Sequence, residues 1–118
     1  MEGPRSPLES EYSRVLEFLN SELRPDSGWS LASEYPTALS PNNLNNIRII
    51  TDAERVLSHA VIKPLIIRSP LAILKIAAIG SVVTVEDHRN QGLSRRILEN
   101  CLEEAREQDC DLAMLWTN

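Results

Sequence analysis

Hydrophobic positions along the chain fall into two textures, a helical one near the start and a strand-like one from the middle onward. Val15, Leu16, Phe18 and Leu19, flanked by Tyr12 and Leu23, make one apolar helix face, and Pro25 ends it. Ser6, Pro7 and Glu9 offer an N-cap, a proline for the first helical position and an early carboxylate, so this helix is expected to begin there. Residues 1–6 read as a flexible end, and 7–118 as the domain. Residues 26–46 are polar and loop-rich, with room for a short helical turn, and carry Gly28, Pro36, Pro41 and four asparagines. Trp29, Tyr35 and Leu39 are apolar anchors expected to pin this loop to the core, with direct ligand contact as the alternative.

From residue 46 the pattern changes to strands. Residues 47–51 form one, 51–54 a turn, and 56–62 its hairpin partner. Pro64 interrupts the second run, so 65–68 is either an edge continuation or a bulged extension. Ser69 and Pro70 make the next turn. The run 71–85 is long enough for a full central strand, its poor alternation reflecting burial on both faces. It closes in the β-branched stretch 82–85, followed by a polar turn over 86–91. A second helix then runs from about Gly92 to Gln108, with Leu93, Ile97, Leu98, Cys101, Leu102 and Ala105 along one stripe. After 109–111 the chain enters an apolar strand over 112–116. That strand must lie parallel to 82–85, because strand, crossover helix and strand form a right-handed unit.

Composition narrows the picture. A length of 118 residues suits one domain, and a hydrophobic share of 42% allows a modest core. The net charge of −5 and the lack of a long basic run argue against nucleic-acid binding, which needs clustered Lys and Arg. Cys101 and Cys110 are too few for a disulfide framework and have no metal-ligand spacing, and Cys101 lies on the apolar helix stripe. No metal is expected. Residues 1–10 lack the apolar core of a signal peptide, and 71–85 is too short to span a bilayer, so no membrane association is expected and the setting is a reduced, cytoplasmic one. His59 falls within a strand and reads as structural.

The candidate chemistry lies where the long strand meets the second helix. A helix N-terminus leaves several backbone N–H groups unpaired and directs the positive end of the dipole into the turn, making an anion site. Arg89, Arg95 and Arg96 crowd this end, while Glu99, Glu103, Glu104 and Glu107 trail toward the other. The dipole favours the reverse, and an incoming polyanion would turn the placement into a good one. Gly92 lets backbone approach such a ligand closely.

These residues resemble the GNAT superfamily of N-acetyltransferases. Its signature is Gln or Arg, two variable residues, Gly, one variable residue, then Gly or Ala, after a strand reading V-x-V. Here Val83, Thr84 and Val85 stand for the strand, and Arg89, Asn90, Gln91, Gly92, Leu93 and Ser94 for the signature, with Arg95 next. Ser94 departs from the pattern by adding a hydroxyl at the last small position. The order of elements from about residue 6 to the end matches the GNAT core through its first parallel strand pair.

The resemblance implies an α/β fold with a mixed sheet of the GNAT acyl-CoA N-acyltransferase type. It implies that the turn amides hold the pyrophosphate of acetyl-CoA, that the strand edge before them pairs with the pantetheine arm, and that an amine is the acceptor. A backbone N–H near Val83 would stabilise the tetrahedral oxyanion. Family members carry a further helix, commonly with a tyrosine acting as general acid, and two more strands. The chain is therefore expected to lack the C-terminal helix and strands as a piece of a longer protein, or to pair its open sheet edge with a second copy or a partner. No catalytic acid or base is assigned, since Glu86 and Asp87 both lie on the phosphate side. The alternative is a non-catalytic acyl-CoA-binding or interaction module with the same fold.

Overall fold

The computed structural model describes residues 1–25 and 30–116. Trp29, one of the expected loop anchors, lies outside them. In chain order the elements are β1 (Glu2–Arg5), α1 (Tyr12–Leu23), the single turn α2 (Leu31–Glu34), β2 (Ile47–Asp52), β3 (Arg55–Arg68), β4 (Ile73–Thr84), α3 (Leu93–Glu107) and β5 (Leu112–Leu115). Short 3-10 turns precede α1, β2 and α3. One sheet takes the strands in sequence order, antiparallel from β1 to β4, with β5 parallel to β4. This is the mixed α/β arrangement expected from the sequence.

Two cores lie on the two faces of the sheet. Alternation along β2 sends Ile47 and Ile49 to one side with Val61 and Val83, beneath Val15 and Leu19 of α1. Ile50 goes to the other, with Leu57, Ala60, Ile62, Ala77 and Ile79, beneath Ile97, Cys101 and Ala105 of α3. A fully buried side chain such as Ile97 contributes about 1.5–3 kcal/mol through apolar burial. Burial also holds the Cys101 thiol up at about 12, which fits packing rather than reactivity.

Two local expectations are corrected, and an alternative left open at Pro64 is decided. The first residues are not a free end: β1 pairs with β2, Glu2 opposite Thr51 and Arg5 opposite Ile49. Hydrophobic pattern could not show this, because a four-residue edge strand reading Glu-Gly-Pro-Arg is held by backbone pairing and by ion pairs. Arg5 grips the Glu11 carboxylate with two bonds of 2.8 and 2.9 Å, and Gly3 at φ 110 lets the chain pass close over the Ile49 carbonyl. The first helix does not start at Pro7, which is buried; a 3-10 turn over Glu9–Glu11 leads into it, and Glu11 accepts the Leu8 N–H at 2.8 Å. Pro64 does not break β3. Beyond Val61, which faces Ile47, β2 no longer accompanies the strand, so Pro64 has no ladder bond to lose on that side while it pairs with Ala77 on the other. It is the edge continuation.

Candidate functional site

The site grows from an irregularity in β4. Val61 pairs with Gly80 and His59 with Val83, which leaves Ser81 and Val82 together opposite Ala60. This is a β-bulge, with Ser81 at φ 51 in the left-handed region. His59 is fully buried and sets Nδ1 2.8 Å from the Ser81 carbonyl oxygen. Burial pushes its imidazole down to about 4, so it is neutral at physiological pH, and a carbonyl can only accept, so Nδ1 carries the proton.

At the same point the sheet opens. β5 pairs with β4 only over residues 76–79, and the last bond on that side runs from Trp116 N–H to the Ile79 carbonyl at 2.9 Å. Among the described residues no strand accompanies β4 on that side beyond it, while β3 continues on the other. The Trp116 indole lies against the α-carbon of Gly80, where any side chain would collide with it, and stacks at a tilt on Tyr35 with ring centres 6.0 Å apart.

Past Thr84 the chain makes a 3-10 turn over Glu86–His88, passes Asn90 at φ 65 and Gly92 at φ 77, and enters α3. Both left-handed residues are of types that tolerate the conformation. Gly92 is the N-cap and has no side chain to satisfy the amides of the first turn, which therefore face a cavity of about 340 Å³. Thr84, His88, Arg89, Asn90, Gly92, Leu93, Ser94 and Arg95 line it. A β-carbon on Gly92 would meet nothing within 4 Å, so the space beside this backbone is open to a ligand. The donor set, amides at the positive end of a 15-residue helix with two arginines, suits a phosphate or pyrophosphate.

The structure thus brings together seven of the ten residues expected from the sequence. Val83 and Val85 are buried, Val83 against the α1 side and Val85 against the α3 side, and neither lines the cavity. Gln91 is exposed and does not line the cavity. Arg89 donates Nε–H to the Thr84 carbonyl at 3.2 Å, which holds it across the turn. Arg95 is exposed and pairs with Glu99 at 2.9 Å, while Arg96 turns away to donate to the Gly3 carbonyl at 2.9 Å. Arg96 therefore ties down β1 and is no part of the anion site. Ser94 has a structural reason for its hydroxyl: Ser58, Thr84 and Ser94 form a chain of hydroxyls at 2.9 and 2.8 Å that fastens β3 and β4 to the start of α3.

Sequence reading missed His88, His59, Ser81 and Trp116. His88 could have been added, since it directly precedes Arg89 in the polar turn; its Nδ1 lies 3.2 Å from Asp87 Oδ1. Asp87 is held in turn by both terminal guanidinium nitrogens of Arg55 at 2.9 Å, which keep its carboxyl well below the usual range. The others carry no local signal, because they meet only through strand register.

Against known proteins, the description "Acetyltransferase (GNAT) domain" matches residues 5–117. The chain belongs to the GNAT acetyltransferase family. No curated protein matches it. Among solved structures, a predicted acetyltransferase with acetyl-CoA from Clostridium acetobutylicum superposes with a TM-score of 0.74 at 15% identity, covering 95% of this chain and 78% of that one. Glucosamine-6-phosphate N-acetyltransferase from Arabidopsis thaliana does so with 0.69 at 14%, covering 97% and 80%. A transcriptional regulator from Bacillus halodurans C-125 gives 0.73 at 17%, covering 97% and 80%. At these identities the likeness is one of fold, and GNAT chemistry must be argued from the site. Among the described residues no helix is long and apolar enough to cross a membrane, and no cluster of three metal-ligating side chains occurs.

Proposed function

We propose that this GNAT domain transfers the acetyl group of acetyl-CoA to an amine of a small molecule or protein. The observation that carries the reading is the continuity between the anion cavity at the α3 N-terminus and the strand edge of β4 left free where β5 stops. The pyrophosphate is bound by the first-turn amides with Arg89 and Arg95. The pantetheine arm, an extended chain with two amides, adds to β4 as a strand would. That path leads the thioester to the bulge at Ser81, where irregular pairing frees backbone groups.

There the amine nitrogen attacks the thioester carbonyl, a C–N bond forms, and the oxyanion is stabilised by a β4 backbone N–H near Val83. Collapse breaks the C–S bond, releasing the CoA thiolate, and the amine gives up a proton to a base or water. Neither Glu86, which is exposed, nor Asp87, locked to Arg55, is placed to take it. That observation keeps a second reading open, an acyl-CoA-binding module that retains the fold without turnover.

Calorimetric titration with CoA, dephospho-CoA and pantetheine, followed by thiol release from acetyl-CoA over a panel of amines, separates the cases. CoA should bind far more tightly than pantetheine. Equal affinities would overturn the helix-terminus site, and tight acetyl-CoA binding with no thiol release from any amine would favour the module.

A further inference from the structure

We infer that His59 is a positioning residue for acetyl transfer, holding the β4 bulge open through its hydrogen bond to the Ser81 carbonyl. The inference rests on the function proposed above and adds to it a residue remote from both cofactor phosphates and sheet edge.

Ser81 occupies a left-handed conformation, at φ 51, that side-chain-bearing residues avoid. Such strain persists only where its surroundings over-determine it, and it gathers at functional sites. Three features hold the bulge. His59, on the neighbouring strand, donates from Nδ1 to the Ser81 carbonyl at 2.8 Å in a fully buried setting. Gly80 carries no side chain, which lets the Trp116 indole lie against it. Ser58, one residue before His59 in β3, passes its hydroxyl between the Val83 carbonyl at 3.3 Å and Thr84 at 2.9 Å, pinning the strand just past the bulge.

A purely structural histidine would be expected to satisfy both ring nitrogens. Here Nε2 has no partner, and neither does the Ser81 hydroxyl nor the Trp116 indole N–H. All three of these buried polar atoms belong to residues in or touching the bulge. Buried polar groups are ordinarily paired, and exceptions concentrate where a ligand or ordered water completes them. The bulge is thus strained, and buried polar atoms that no protein group pairs surround it, at the point where β4 and β5 part. The bond from His59 fixes the Ser81 peptide plane, and with it the direction of the backbone donors that follow.

The test uses the full chain and two variants, His59→Phe, which keeps a ring but removes the donor, and His59→Asn, whose amide nitrogen can replace Nδ1. Nitrogen-15 NMR of the wild type should show the Nδ1-protonated neutral tautomer. His59→Phe should shift the amide resonances of residues 80–82, leave CoA affinity within about twofold, and lower kcat about tenfold or more, whereas His59→Asn should recover most of that loss. An Nε2-protonated tautomer would overturn the inference, even where His59→Phe does not fold. So would a folded His59→Phe with wild-type resonances at 80–82 and wild-type kcat. A wild type that shows the expected tautomer but no turnover with any amine would instead sink the transferase reading.

Discussion

The two halves of the site are built in opposite ways. The phosphate turn is local: every residue lining its open cavity falls between Thr84 and Arg95, and the turn owes its shape to Asn90, Gly92 and the start of a helix. The bulge is not. It needs His59 from β3, Gly80 and Ser81 from β4, and Trp116 beyond β5, all brought together by strand pairing and all but Trp116 fully or nearly fully buried. A local site tolerates change around it but not within it. A buried one registers substitutions first as changes in stability.

The strongest way to sharpen that contrast is Gly92→Val. At φ 77 a β-branched residue strains the turn by about 1–2 kcal/mol, and its side chain enters the open space the ligand would use. CoA affinity should fall more than about a hundredfold, near 3 kcal/mol, with the melting temperature lowered by about 4–10 °C. Gly92→Asn separates the two causes, because asparagine accepts the left-handed conformation yet still fills the cavity. Wild-type affinity in either folded variant would break the assignment of the turn.

The bulge should announce itself through pH. The folded pKa of His59, about 4, lies below its ordinary 6.5, so between those values the unfolded chain binds more protons. Its contribution is complete above pH 6.5 and is lost as pH falls toward 4, by up to about 3 kcal/mol. Urea unfolding at pH 7 and pH 5 measures it, and His59→Asn should flatten the difference. Glu11, held down at about 2 chiefly by its bonds to Arg5, acts in a lower window: its contribution is lost as pH falls from about 4.5 toward 2. A stability profile flat between pH 7 and 5 would remove His59 from the buried neutral state.

Gly80→Ala comes next. The added carbon would meet the Trp116 ring, so the indole must move or the strand must shift, at a cost of about 1–3 kcal/mol read from thermal unfolding. CoA affinity should change little, since the phosphate cavity does not include either residue. The smallest effect is expected at the seam between the halves. Thr84→Val removes the central hydroxyl of the Ser58–Thr84–Ser94 chain and should cost about 1–2 kcal/mol, with CoA affinity falling by no more than a few-fold.

What the sequence determined by itself follows from short-range periodicity. Helical spacing in 12–23 and 93–107, the strand runs on either side of residue 53, and the order of strand, glycine turn and helix place the elements and the phosphate turn without any knowledge of the sheet. Gly92 and the stripe from Leu93 to Ala105 are enough for that, because a helix N-terminus binds anions through its own backbone. Tertiary structure decided the rest. Arg96 looked like part of the cluster until β1 claimed it, and β1 has no pattern because its bonds go to β2. His59 and Ser81 stand 22 positions apart and are joined by a register with two residues of β4 against one of β3, while Gly80 and Trp116, 36 apart, are joined by the parallel pairing of β5 on β4. Pairing register follows from the summed packing of both sheet faces, so a bulge leaves no mark in the residues that form it.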